Sequence, residues 1–300
     1  MIRSVLRAQR RHVRAMSTKY PPRGNRFEGK NIIVTGAAGN FGGICAKMLA
    51  AEGANIALVD LAEDKLPDVQ KEVETYGIKA RCFGMDLTDD TKVKNMVAEV
   101  KSEFGTIDGL FNNAGYQGAF APVDQYPTDD FEMVMKINVV GLFSTLKYTA
   151  QAMIEQGNGG AIVNTASCAG LGCPTLMAAY GSSKAAVIHL SKISAIDLAP
   201  HNIRVNSISP AYIGPEDGYM WLRQVQLQAE NNPTNASEYY FSNDNDTVAK
   251  QMIGSVPLRR AGKVEEVINA ALFLLSEESS YMTGVDLDIS GGNVIGGARG

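Results

Sequence analysis

From residue 30 onward the chain alternates short apolar runs with longer stretches in which apolar residues recur every three or four positions. The short runs predict strands at Asn31 to Thr35, Asn55 to Asp60, Ala80 to Met85, Gly109 to Asn112, Ala161 to Thr165, Ile203 to Ser207 and Val285 to Ile289. Nearly continuous apolar strands suit burial on both faces, and helical patterns between them mark repeated βαβ units. The expected fold is α/β: a doubly wound, seven-stranded parallel sheet with helices on both faces, in a single domain over 28–300. An alanine-rich run from Met177 to Ala199 predicts a long helix ending before Pro200. One segment breaks the rhythm. From Gly214 to about Asp246 the chain is rich in Asn, Gln, Tyr and Ser, too polar for sheet or core. It is expected to be a substrate lid, with a variable surface insertion as the alternative.

The first 27 residues differ in character: Arg3, Arg7, Arg10, Arg11, Arg14, Lys19, Arg23 and Arg26 all precede the first acidic residue, Glu28. On a helical wheel Arg3, Arg7, Arg10, Arg11 and Arg14 share one face, and Ile2, Val5, Leu6, Val13 and Met16 the other. That is the pattern of a mitochondrial transit peptide, and mitochondrial import is the expectation; a basic tail on a cytoplasmic protein and translation from Met16 compete with it. Over all 300 residues the net charge is -4, so no field attracts a polyanion and nucleic acid is not an expected partner. Cys45, Cys82, Cys168 and Cys173 form no CxxC pair, which argues against a disulfide framework or a zinc ribbon. Apolar runs fall short of the roughly 20 residues that a membrane-spanning helix needs, so no membrane association is expected.

The first strand leads into Thr35-Gly36-Ala37-Ala38-Gly39-Asn40-Phe41-Gly42 and a helical run from Ile44 to Glu52. In a doubly wound sheet this is where a pyrophosphate sits. Gly36 permits the tight turn, Gly39 and its small neighbours let backbone approach phosphate, and Gly42 lets helix pack on strand; Asn40 and Phe41 stand at the helix start that faces the negative charge. Asp60 closes the second strand 24 positions after Gly36, with Leu61 beside it and no arginine following. A carboxylate there accepts the adenosine ribose hydroxyls and repels a 2′-phosphate, so the expected cofactor is NAD. Asp86 and Leu87 are placed to meet the adenine, or else form an ordinary turn. Asn112, Ala114 and Gly115 of the Asn112-Asn113-Ala114-Gly115 segment are expected to line the ribose, with a plain turn as the alternative.

Tyr180 and Lys184 are one helical turn apart and share a face. An ammonium near a phenol favours its charged form, which would fit Tyr180 to act as a base. Ser167 lies 13 residues earlier, beyond the fifth strand, where its hydroxyl can hold a substrate oxygen. Asn138 is a poor helix former inside a predicted helix, and so a further candidate.

Over 28–292 these residues resemble the short-chain dehydrogenase/reductase family. The resemblance is carried by the TGxxxGxG-like turn, Asp60, the NNAG segment, Asn138, Ser167, the Tyr180-x-x-x-Lys184 pair, and the Ile203-Arg204-Val205-Asn206 strand leading to Ser209-Pro210. It implies a Rossmann-type fold and a catalytic tetrad. In that tetrad Asn138 holds a water, Ser167 orients and polarises substrate, Tyr180 is the acid/base, and Lys184 depresses the tyrosine pKa and binds the nicotinamide ribose. It also implies a backbone clamp on the carboxamide after Pro210, around Ile213, and a homotetramer with two long helices and the Thr283 to Gly297 segment at its interfaces. Asn40 replaces the middle glycine of the turn, tolerable because Asn readily takes a left-handed conformation. Ala211 replaces the glycine after Pro210, and the clamp survives if its φ is negative.

Residues 111–122 and 251–257 resemble bacterial NAD-dependent xylitol dehydrogenases, which implies oxidation of xylitol to D-xylulose. A polyol or ketose substrate would then be met by Ser167 and Tyr180, and by Gln117, Tyr212, Tyr219, Trp221 and the lid amides, each of these latter equally able to pack the lid. Another polyol, a 3-oxoacyl thioester or a steroid remains open as substrate. So does a scaffold that senses NAD without turnover, against which the complete tetrad speaks. A zinc alcohol dehydrogenase is excluded, because His12, His189 and His201 are the only histidines and no metal-ligand spacing is present.

Overall fold

The computed structural model describes residues 24–214, 219–232 and 241–296. Seven parallel strands, β1 (Asn31–Thr35), β2 (Asn55–Asp60), β3 (Ala80–Gly84), β4 (Gly109–Asn112), β5 (Gly160–Thr165), β6 (Ile203–Pro210) and β7 (Asp286–Ile289), pair in the order β3-β2-β1-β4-β5-β6-β7. The expected strands are all present. β6 runs three residues further than its apolar pattern, to Pro210, because Ser207 and Ser209 are paired with β7 and both donate to the Asp286 carboxylate.

Side chains alternate across the sheet. Ile32 and Val34 of β1 face α1 (Asn40–Ala51), α2 (Leu66–Glu74) and α9 (Val264–Leu275), while Ile33 faces α3 (Asp90–Phe104), α5 (Leu142–Gln156) and α6 (Ala178–Leu198). Each face thus buries its own apolar layer, as the both-sides-apolar strands require. Between β4 and α5 the chain forms α4 (Thr128–Met135) and a single π-helical turn, Lys136–Gly141. The sheet winds outward from β1 in both directions. This leaves a crevice at the C-terminal ends of β1 and β4, where the strand order reverses.

Two expectations need correction. Arg26 and Phe27, assigned from charge to the basic extension, belong to the packed domain: Phe27 is 2 % exposed. Arg26 holds Glu52 through both its Nε and its Nη2, at 2.6 and 2.7 Å. The targeting pattern itself falls on residues 1–23, outside the described residues. The lid segment is not too polar for a core. It forms α7 (Tyr219–Glu230), followed by α8 (Asn245–Ser255), and the two bury Trp221, Val225, Ala229, Val248 and Met252 between them. Three of these apolar residues recur four apart, a stripe that averaging over a polar segment hides. Among the described residues no helix is long and apolar enough to cross a membrane.

Candidate active site

Gly36 leaves β1 with φ +67, and a Cβ there would come within 2.8 Å of the Asn113 amide nitrogen. A Cβ on Gly42 would lie 2.1 Å from the Gly36 carbonyl oxygen. Turn and helix can close on each other because both positions lack a side chain. Gly39 is the N-cap of α1, so Asn40, Phe41 and Gly42 open the helix with N–H groups that have no intrahelical acceptor. A cradle of this shape fits a pyrophosphate. Asn40 is the first helical residue and is not among the left-handed positions, so its replacement of glycine needs no special conformation. Ala211 likewise has no positive φ.

Asp60 points back across the turn, its Oδ2 accepting from Ala38 N and its Oδ1 from Ala62 N, both at 2.9 Å. Each oxygen keeps a lone pair for a ribose hydroxyl. Leu61 beside it is 74 % exposed at the rim. Asp86 caps its own turn, its Oδ1 accepting from Thr88 N at 2.8 Å, and Leu87 packs half-buried on the α3 and α5 side. Asn112 is a correction. It is 1 % exposed, and its amide donates to Leu142 O and Asn164 Oδ1, which ties β4 to its neighbours and leaves nothing for a ribose. Its sequence neighbours make the approach instead. Thr35 Oγ1 accepts from Asn113 N at 2.8 Å and Ala114 N at 3.0 Å, and so staples this segment to the glycine turn. A Cβ on Gly115 would stand 3.5 Å from Lys184 Nζ, close enough that backbone there leaves room beside the ammonium. Past Pro210, Gly262 bridges Ile213 through bonds made by the flanking residues Tyr212 and Gly214. The N–H and C=O of Ile213 are outside that pairing and can serve an amide ligand.

Tyr180 and Lys184 project from the first turns of α6, with Lys184 Nζ 5.6 Å from the Tyr180 ring centre. Lys184 is 3 % exposed and donates to Thr165 O at 2.8 Å. Burial pushes its ammonium down to about 8. Burial also pushes the Tyr180 phenol up to about 12, against a hydrogen bond with Ser167 that acts in the opposite sense. The depression expected of Lys184 does not set this phenol: burial dominates it, and the ammonium is itself desolvated and engaged with Thr165. Ser167 Oγ, buried at the end of β5, accepts from Ala169 N and lies 3.4 Å from Pro210 O. It joins the tyrosine to the end of β6.

Asn138 explains its own place in a helix. Its Oδ1 accepts from Tyr116 N at 2.7 Å, and its Nδ2 donates to Tyr116 O at 2.8 Å and to Ser183 Oγ at 3.0 Å. Fully buried in the π turn, it locks the loop after β4 to the catalytic helix, since Ser183 Oγ donates in turn to Tyr180 O.

A family model described as Enoyl-(Acyl carrier protein) reductase matches residues 36–293. The chain belongs to the short-chain dehydrogenase/reductase family. Among solved structures of the family, an NAD+-bound xylitol dehydrogenase is similar at 52% identity and TM-score 0.85, over 89% of this chain and 99% of that one. The 2,5-dichloro-2,5-cyclohexadiene-1,4-diol dehydrogenase of Sphingobium indicum is 35% identical, covering 89% of this chain and 97% of its own. A 3-oxoacyl-[acyl-carrier-protein] reductase of Thermotoga maritima is 34% identical over 90% of this chain and 100% of its own. These relatives share an oxidoreductase scaffold and differ in substrate.

In this member of the family the catalytic end has an apolar wall that composition did not reveal. Phe120, Leu176 and Met177 bury one another, with Tyr180 and Leu227 of α7 against them. Leu176 holds φ 64, a strained backbone for a leucine, fixed where its carbonyl accepts from Ala121 N at 2.9 Å. Of the expected substrate residues, Trp221 is 4 % exposed inside the lid core and meets the Tyr212 ring edge-on at 6.2 Å, so it supports the lid instead of lining the pocket. Tyr212 stands between lid and β6, its phenol pushed up to about 12 by burial. Gln117 is half-buried on the loop that Asp130 pins by accepting from Ala119 N at 2.7 Å and from the Tyr116 and Tyr126 hydroxyls. The Tyr219 side chain lies outside the described part of the structure. Thr35 opens the TGxxxGxG-like turn, whereas Tyr116 and Ser183, which also hold the site together, carry no periodic or motif signal that would mark them in sequence.

Proposed function

We propose that this oxidoreductase is an NAD-dependent polyol dehydrogenase that converts xylitol to D-xylulose. The observation that carries this reading is the 52% identity to the NAD+-bound xylitol dehydrogenase across 99% of that chain. The Asp60 carboxylate, bonded to Ala38 and Ala62 at the end of β2, supports NAD over its 2′-phosphate form.

NAD, when bound, supplies the acceptor for the hydride leaving the carbinol carbon. Gly36, Gly39 and the opening N–H groups of α1 would hold its pyrophosphate, Asp60 its adenosine ribose, Lys184 its nicotinamide ribose, and Ile213 its carboxamide. Ser167 holds the substrate hydroxyl by hydrogen bond and orients its oxygen toward Tyr180. Tyr180 Oη takes the hydroxyl proton as the carbonyl forms, and returns a proton in the reverse reduction. The Ser167 hydrogen bond favours the phenolate against the burial that opposes it, and a charged Lys184, 5.6 Å from the ring centre, would act in the same sense. Asn138 keeps the Tyr116 loop and α6 in fixed register throughout.

The exposed apolar side chains on the outer surfaces of the long helices support assembly with copies of this chain into the homotetramer. Phe143 on α5 is 45 % exposed and Ile196 on α6 is 76 % exposed. Light scattering on the purified chain gives the mass directly. The Arg-rich amphipathic pattern of residues 1–23 supports mitochondrial import, and a fluorescent reporter carrying residues 1–30 should localise accordingly. For the substrate, NAD reduction across pentitols, hexitols, cyclic diols and 3-hydroxyacyl thioesters should be fastest with xylitol. Absence of turnover on every polyol would remove this reading.

A further inference from the structure

Gln228 of α7 is 4 % exposed, and among the described residues its amide oxygen has no hydrogen-bond donor. A buried amide acceptor left bare is unfavourable unless a ligand completes it. Its surroundings indicate which ligand. α7 packs against one wall of the site: Trp221 meets Tyr212 at one end, and Leu227 packs on Phe120, Leu176, Met177 and Tyr180. Between them along the helix stands Arg223, whose charge opposes, as the smallest of the influences, the rise of the Tyr116 phenol that burial and Asp130 cause. At one residue per 100° of helix, Gln228 lies about 20° from Trp221 and about 100° from Leu227. It therefore lies beside Trp221 at the edge of the face buried on α8, on the side that turns toward Leu227. Asn232, one turn on, also has a bare Oδ1, but its Nδ2 is committed to Phe241 O and to Asn243 Oδ1 inside the lid.

We propose that Gln228 is a specificity-determining substrate residue whose amide oxygen accepts a hydrogen bond from a hydroxyl other than the one being oxidised. The inference rests on the polyol reading and deepens it. A polyol brings a donor on every carbon, whereas a simple alcohol in the same apolar pocket would leave the acceptor bare. The same bare acceptor is a cost to the ligand-free protein that substrate binding relieves.

Gln228→Met keeps the length of the side chain and removes the acceptor, and Gln228→Leu repeats the test with a different shape. Each should lower kcat/KM for xylitol about tenfold or more relative to wild type. Turnover of 2-pentanol, which lacks a second hydroxyl, should change less than about twofold, and NAD affinity should stay the same. Without substrate the variants should melt at or above the wild-type temperature, and xylitol should raise the melting temperature of the NAD-loaded wild type and not of the variants. An equal xylitol shift in wild type and variants, no shift in any of them, or equal losses on xylitol and 2-pentanol would overturn the proposal. Undiminished xylitol turnover in both variants removes the Gln228 contact and leaves the polyol reading standing. Selective loss on another multiply hydroxylated alcohol, with xylitol inert in wild type, removes xylitol and keeps the contact.

Discussion

Lys184 reaches past the Tyr180 ring to the carbonyl oxygen of Thr165, which its ammonium meets at 2.8 Å at the end of β5. A buried cation held by a neutral acceptor is poorly compensated, which is why burial brings it down to about 8 from its ordinary 10.5. Between those two values the unfolded chain binds more protons than the folded one, so the Lys184 contribution to stability rises with pH over that window. Lys184→Met should flatten this rise, and the variant should gain most relative to wild type below pH 8, where the wild type buries its charge. Urea midpoints measured across pH test it. NAD affinity and rate should both fall in the same variant, since one ammonium serves both.

Tyr180→Phe removes the proton acceptor and keeps the ring that packs on Phe120 and Met177. Turnover should fall by about 10²- to 10⁴-fold or more, with NAD binding by calorimetry unchanged. In the wild type, burial holds the phenol up at about 12, so the oxidation rate should increase as pH rises toward that value while reduction of the ketone should not.

Asp60→Ala deletes the acceptor for Ala38 N and Ala62 N together with the site for the ribose hydroxyls. Charge-assisted hydrogen bonds contribute about 1.5–3 kcal/mol each, so kcat/KM for NAD should drop about tenfold or more. The ratio of NAD to NADP activity, measured on the same substrate, should fall because the repelling charge is gone.

Asn138→Ala leaves Tyr116 N, Tyr116 O and Ser183 Oγ without their partner in a buried π turn. At about 1 kcal/mol per hydrogen bond, thermal unfolding should show a loss of about 2–3 kcal/mol. The rate should fall with it, because the catalytic helix loses its tie to the loop after β4. Asn138→Asp keeps the acceptor for Tyr116 N and loses the two donations, and should lie between the two in both measurements.

The periodic pattern made the sheet legible because strands buried on both faces have no polar positions to confuse it: Ile32, Ile33 and Val34 are apolar whichever way each points. Asp60, Ser167, Tyr180 and Lys184 were legible for a related reason. Their positions depend on strand ends and one helical turn, both of which are local spacings. Asn112 was misassigned because its motif says that backbone must pass close to a ligand and not which side chain turns inward. The lid helix α7 was missed because its stripe of Trp221, Val225 and Ala229 is lost in a polar average.

The sequence by itself determined the winding of the sheet, the glycine turn, the acidic choice of cofactor and the register of the catalytic pair, because each is set by residues near one another along the chain. The tertiary structure decided what those groups experience. Burial places Tyr180 and Lys184 on opposite sides of their ordinary pKa values. Asn138 is tied to Tyr116 across 22 positions. α7, laid over Phe120 and Leu176 through Leu227, carries the buried, bare amide oxygen of Gln228. Desolvation and long-range hydrogen bonding depend on what packs around a residue, and no local spacing records that.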